Sequence, residues 1–280
     1  MPWPGVSLII STANKRNFAI GVFDSGLGGL TVVKELRRQL PFENIVYFGD
    51  TARVPYGTKS KETIIRFSKE NTRILLKHKV KCVVVACNSC SSYAMPILKR
   101  NFSLPILGVL VPSAKKATSQ TRNNRVGVIA TSATIASGQY PKTIKRFRKS
   151  AQVFTQACPM FVPLVEEGWF NKRIALDVAD SYLQALKKRK VDTLILGCTH
   201  YPLLKNTLRK TMGQKVTLID SAKEVASEVK DTLSRLGLVN RKHSRGKVKF
   251  LISDKPQQFK KIARTFLGFD IDHVQTIKGV

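Results

Sequence analysis

Val80-Lys81-Cys82-Val83-Val84-Val85-Ala86-Cys87-Asn88-Ser89 and Val191-Asp192-Thr193-Leu194-Ile195-Leu196-Gly197-Cys198-Thr199-His200 are two versions of one pattern. In each, an apolar run passes through a small residue into a cysteine, and polar residues follow. Uninterrupted apolar runs of this length, rich in β-branched residues, read as strands covered on both faces. Upstream of each lies a second matching pair, Ile20-Gly21-Val22-Phe23-Asp24-Ser25 and Val126-Gly127-Val128-Ile129-Ala130-Thr131. The interval from Asp24 to Cys87 nearly equals that from Thr131 to Cys198. Matched intervals on top of matched local patterns imply a duplicated α/β unit.

Working outward, apolar runs alternate with amphipathic segments, which predicts an α/β protein with mainly parallel strands. Phe18 to Phe23 reads as a buried strand and Gly26-Leu27-Gly28-Gly29 as a tight turn. Leu30, Val33, Leu36 and Leu40 then mark one face of a helix, Ile45 to Phe48 a second strand, Ser60 to His78 a long helix and Cys82 to Ala86 a third strand. The glycine turn matches neither the phosphate-binding Walker pattern nor G-x-G-x-x-G. Two similar domains related by a pseudo-two-fold axis are expected, with the site in the cleft between their strand ends, where ligands bind in open α/β sheets. The C-terminal segment reads as helix (Ser221 to Leu236), strand (Val248 to Ile252) and helix (Pro256 to Phe266), returning to the first unit. The expected division is a loose extension over 1–17, one domain over 18–112 with 219–280, and a second over 113–218.

Composition sets limits on function. Hydrophobic residues make up 43% of the 280, enough for a core. No apolar stretch is long enough for a membrane helix, and the short run Val6 to Ile10 lacks the flanks of a signal peptide. A cytoplasmic protein is expected. Five cysteines, an odd number, argue for free thiols in a reducing compartment. The net charge of +30 must attract anions. The basic clusters carry no interleaved aromatics and no nucleic-acid motif. A nucleic-acid or protein partner is therefore left open by charge and unsupported by any motif, and the oligomeric state, a homodimer included, is equally open.

Two thiols facing one cleft suit a racemase. Inverting a stereocentre requires proton removal from one face and delivery to the other, and a thiol with a pKa of about 8.5 reaches both states near neutrality. Without a cofactor, donors must meet the charge that builds on the substrate carboxylate. Asn88, Ser89 and Thr199 supply neutral donors; Asp24-Ser25 and Tyr56-Gly57 sit on loops able to fix the ammonium and carboxylate; His200 is placed to tune Cys198.

At these residues the chain resembles the glutamate racemases of the aspartate/glutamate racemase family. The matching segments are Phe23 to Gly29, Gly49 to Gly57, Ala86-Cys87-Asn88, Ile129-Ala130-Thr131 with Thr134, and Leu196 to Pro202. The resemblance implies a cofactor-independent isomerase without metal that interconverts L- and D-glutamate for peptidoglycan synthesis, and so for cell wall biogenesis and cell shape. It also implies Cys87 and Cys198 as catalytic bases, assisted by Asp24, His200 and one glutamate of Pro163 to Glu167, taken as Glu166. Asp24, Ser25, Tyr56, Gly57, Asn88, Ser89, Thr131, Thr134, Thr199 and His200 are the substrate-binding set by the same likeness. Three features depart from it. Ser89 stands where threonine is usual, Cys90 stands where alanine is common, and neither the charge nor the N-terminal extension belongs to racemisation. Three other readings stay open: an aspartate racemase or related isomerase, a zinc or redox site built from Cys87, Cys90, Cys198 and His200, and a basic nucleic-acid-binding role.

Overall fold

In the computed structural model, residues 15–242, 244–271 and 273–277 are described. The first half runs β1 (Ala19–Asp24), α1 (Leu30–Gln39), β2 (Ile45–Gly49), α2 (Lys61–Leu76), β3 (Val80–Val85), α3 (Asn88–Tyr93), α4 (Met95–Asn101) and β4 (Ile106–Gly108). The second runs α5 (Leu110–Gln120), β5 (Arg125–Ala130), α6 (Ser132–Ala136), α7 (Gln139–Phe147), β6 (Gln152–Ala157), α8 (Phe161–Glu166), α9 (Arg173–Lys188), β7 (Thr193–Gly197), α10 (Lys205–Met212) and β8 (Thr217–Asp220). α11 (Ser221–Arg235), β9 (Val248–Ile252), α12 (Pro256–Leu267) and β10 (Val274–Thr276) close the described chain.

Two sheets result, ordered β10-β9-β2-β1-β3-β4 and β6-β5-β7-β8. Every strand pair is parallel. The order β2-β1-β3-β4 is repeated as β6-β5-β7-β8, and the register repeats with it. Phe23 pairs with Val85 and Ile129 with Leu196; Ile20 pairs with Cys82 and Val126 with Thr193. These are the partners expected from the two aligned sequence patterns. The backbone adds a mark of its own. Lys79 and Lys190, each just before a cysteine-bearing segment, both take φ 52°, an uncommon region for a side-chain-bearing residue.

All residues of β1, β3 and β7 are buried, as the apolar runs require. Ser60 caps α2 by accepting the Thr63 N–H, and Asp220 caps α11 by accepting the Ala222 N–H at 2.9 Å. β9 pairs with β2 and so extends the first sheet. α11 packs on both α1 and α5, tying the halves together.

Residues 1–14 of the expected loose extension lie outside the described residues. Arg16 is anchored: its Nε donates to Gly237 O at 2.7 Å and its carbonyl accepts from Lys81 Nζ at 2.8 Å. Lys81 is buried against Glu43 and also donates to Leu238 O. No helix among the described residues is long and apolar enough to cross a membrane.

Candidate active site

Cys87 and Cys198 occupy equivalent points, two residues past Val85 and Leu196 at the carboxyl ends of β3 and β7. In each sheet the strand order reverses at β1/β3 or β5/β7, the switch point where such sheets open a crevice. Both cysteines are buried, with 6% of their surface exposed.

The halves touch at these strand ends. A Cβ on Gly28 would overlap Thr199 Oγ1 and meet His200 Nδ1 at 2.5 Å, so only glycine lets the first turn approach the second cysteine loop. A Cβ on Gly57 would meet the Thr131 side chain at 2.9 Å. Thr31 Oγ1 donates to Thr199 O at 3.1 Å, and Tyr140 from α7 donates to Asn88 Oδ1 at 2.7 Å. Ser89, Thr131 and Thr134 form a triangle of hydroxyls at 3.0 to 3.1 Å across the boundary. The serine at position 89 thus keeps the hydroxyl contacts available to a threonine.

Each sulfur has its own electrostatic partner. Cys87 is held below the usual thiol range, first by a hydrogen bond from the Cys90 thiol. Burial and the charge of Asp24 oppose this; the Cys90 N–H and the Ser25 hydroxyl reinforce it. Cys198 Sγ lies 3.8 Å from His200 Nδ1, and His200 Nε2 lies 2.9 Å from Glu166 Oε1. Burial works to lower the imidazole, but hydrogen bonds and charge from Cys198 and Glu166 prevail and push it up to about 10. Glu166 is the residue of its pair that meets the histidine; Glu167 is exposed.

Asp24 connects the two partners. Burial pushes its carboxyl up, against the His200 charge and the N–H groups of Gly26, Gly29 and Ser25. Oδ2 accepts from Gly26 at 3.1 Å, whereas Oδ1 forms no well-aligned hydrogen bond within the protein. Asn88 Nδ2 is likewise buried without a protein partner. An acceptor and a donor are therefore left available among the thiols.

Tyr56 has its phenol engaged within its own loop. Its side chain is 1% exposed, its phenol donates to Asp50, and Asn71 donates to it at 3.2 Å. Its ring lies 5.3 Å from that of Phe67. Any contact of Tyr56 with a ligand falls to its backbone. Asp50 also accepts from Arg53 Nε at 2.6 Å and Ser253 Oγ at 3.0 Å, so a buried carboxylate organises the loop. Asp50 and Tyr140 were missed in the sequence, and Cys90 was read there only as part of a zinc or redox site. Asp50 lay within a matching segment and Cys90 stood at x-x spacing from Cys87, but Tyr140 carried no local signal of partnership.

Cys82 and Cys158 are buried, their thiols pushed up by burial. Among the described residues no group of three or more His, Cys, Asp or Glu is arranged to hold a metal ion. The four residues of the zinc reading divide instead into Cys87 with Cys90 and Cys198 with His200.

Two parallel-sheet halves thus each bring one buried thiol to their shared boundary. Residues 20–229 match the Asp/Glu/Hydantoin racemase family, and the chain belongs to it. The glutamate racemase of Geobacter metallireducens is 47% identical over 259 residues, covering 92% of this chain and 96% of that protein. A glutamate racemase isoform from Bacillus anthracis superimposes with a TM-score of 0.90 at 37% identity, covering 94% of this chain and 98% of that one. The Francisella tularensis glutamate racemase, solved with D-glutamate, gives 0.88 at 36% identity with the same coverage.

Proposed function

We infer that this chain is a glutamate racemase in which Cys87 and Cys198 remove and return the α-proton from opposite faces of the substrate. The observation that carries the reading is their equivalent register at the ends of β3 and β7, with Asp24 within electrostatic reach of both Cys87 and His200. One sulfur starts as thiolate and takes the proton; the other starts as thiol and delivers its own. Reversal exchanges the two roles. Asp24 beside Cys87 and His200 beside Cys198 give each sulfur a proton partner, and Glu166 orients His200.

Charge that builds on the carboxylate as the Cα–H bond breaks needs fixed donors in a site of low dielectric. Asn88, Ser89, Thr131, Thr134 and Thr199 supply neutral ones, Asn88 Nδ2 being unspent. Asp24 Oδ1 suits the ammonium, and Ser25 and the Tyr56-Gly57 backbone complete the enclosure. We divide the chain into one domain over 18–112 with 219–280 and a second over 113–218, a boundary that falls within β8. We place the enzyme in the cytoplasm, in keeping with its five free cysteines.

The test is incubation with L-glutamate, and separately L-aspartate, in deuterated water, following optical rotation and Cα exchange. Glutamate should lose rotation while gaining deuterium, without added cofactor. Cys87→Ala and Cys198→Ala should each abolish racemisation yet retain elimination from a substrate analogue of one configuration, opposite for the two. Identical chiral preference in both variants would remove the two-base reading, and faster exchange with aspartate would remove glutamate as substrate.

A further inference from the structure

Cys90 departs from the family resemblance, and proton transfer at the substrate uses Cys87, with Cys90 only a neighbour that holds Cys87 low. It is fully buried in the same apolar cluster as Cys87. Cys87 is the N-cap of α3, with φ −66° and ψ 123°, and Cys90 is the third residue of that helix. Side chains three apart on a helix have Cβ atoms about 5–6 Å apart, against about 3.5–4.5 Å in a disulfide. Both side chains lie in one buried cluster, and a Cys-x-x-Cys pair opening a helix is a placement that dithiol–disulfide chemistry uses.

We propose that Cys87 and Cys90 form an oxidation site, in which hydrogen peroxide closes the dithiol to a disulfide that stops turnover and a dithiol reductant reopens it. The loss of turnover rests on the function proposed above; the disulfide does not.

The two sulfurs are unequal in the manner this chemistry needs. Cys87 is held low by its hydrogen bonds, which favours the thiolate that attacks peroxide. Cys90 is pushed well up, first by burial and then by its bond to Cys87, with Ser68 working the other way. It therefore stays protonated and follows second. In the first step a Cys87 sulfur lone pair attacks one peroxide oxygen and the O–O bond breaks. Sulfur is oxidised to sulfenic acid while peroxide is reduced to hydroxide. In the second step Cys90 sulfur attacks Cys87 sulfur, the S–S bond forms and the S–OH bond breaks. The departing hydroxide takes the Cys90 proton and leaves as water. A disulfide at Cys87 removes one of the two bases outright.

Cys198 is paired differently, with an imidazole at 3.8 Å. Cys158 lies within electrostatic reach of it, but donates its thiol to Gln156 O at 3.7 Å. The competing disulfide is thus Cys158–Cys198, and peptide mapping separates the two.

The full chain is treated with hydrogen peroxide, alkylated in denaturant, digested with trypsin and sequenced by mass spectrometry. The peptide from Cys82 to Lys99 should be lighter than its dithiol form by two hydrogens, with Cys82 alone alkylated. Racemisation should be lost and then restored by dithiothreitol. In Cys90→Ala and in Cys90→Ser, which keeps a hydrogen-bond donor, peroxide should carry Cys87 to sulfinic acid, and dithiothreitol should not restore activity. Inactivation without the Cys87–Cys90 link, a Cys158–Cys198 link instead, or equal recovery in wild type and both variants would overturn the proposal. A protein that forms the link yet never racemises glutamate leaves the oxidation site standing and removes the functional reading.

Discussion

Glu166→Gln tests the electrostatics of the second half without touching either sulfur. His200 is raised from 6.5 to about 10, which corresponds to about 5 kcal/mol between its two protonation states. Cys198 and Glu166 share that preference against the cost of burial. The Glu166 side chain is 36% exposed, so solvent screens its charge and its share is the smaller one. Assigning it about 1.4 kcal/mol, the variant should lower the imidazole by about one pH unit. The assay is kcat/KM for each enantiomer across the neutral to alkaline range, by circular dichroism. The alkaline limb should move down by about that unit while the acidic limb stays in place. Stability offers an independent reading. Because His200 sits above its unfolded value, its stabilisation is complete below pH 6.5 and lost as pH rises through about 10. In the variant the loss should begin at the same pH but finish about one unit lower, so that less stability is lost in total. An unmoved alkaline limb together with an unchanged stability profile would refute the Glu166–His200 coupling.

Lys81→Met strands the buried Glu43 carboxylate and should cost about 3–5 kcal/mol, seen as a fall in Tm of about 10 °C by calorimetry. Activity per folded molecule should persist, because Cys87 lies six residues along the strand, about 20 Å away. Gly28→Ala forces the turn off Thr199 and His200. It should cost about 1–3 kcal/mol of stability and lower kcat by up to about 100-fold, measured by calorimetry and steady-state kinetics. Tyr140→Phe removes the donor to Asn88 Oδ1. The amide then turns freely, and KM for glutamate should rise about tenfold, as for loss of one buried hydrogen bond.

The backbone was legible because its determinants are local and repeated. The apolar runs before Cys87 and Cys198 could be aligned by eye, and the same alignment sets the pairing of Phe23 with Val85 and Ile129 with Leu196. Ser221 to Leu236, Val248 to Ile252 and Pro256 to Phe266 were each read to within a residue at their ends. Side-chain orientation was less legible. Tyr56 was read as a ligand residue from its place on a loop after a strand end, and its phenol serves Asp50, a partner fixed by how the loop folds back over α2. Tyr140 meets Asn88 across the boundary of the halves, a contact between residues far apart in sequence that no period reveals. The anchoring of Arg16 depends on Lys81 and Gly237 in the same way.

Duplication gave the two sulfurs the same backbone address but not the same chemistry. One duplicated strand end continues into Asn88-Ser89-Cys90, so Cys87 is tuned by a second thiol and a serine. The other continues into Thr199-His200, so Cys198 lies beside an imidazole that leans on Glu166 from α8. On the two-base proposal, a symmetric backbone would let the two sulfurs address opposite faces of one carbon. Unlike neighbours are compatible with that task, because each sulfur must match the other in proton affinity and nothing requires it to reach that match by the same means. The glycines at 28 and 57 matter for a related reason. Only when the two turns approach without intervening side chains do Asp24 and His200 feel one another, and that approach joins two separate half-sites into a single reaction centre.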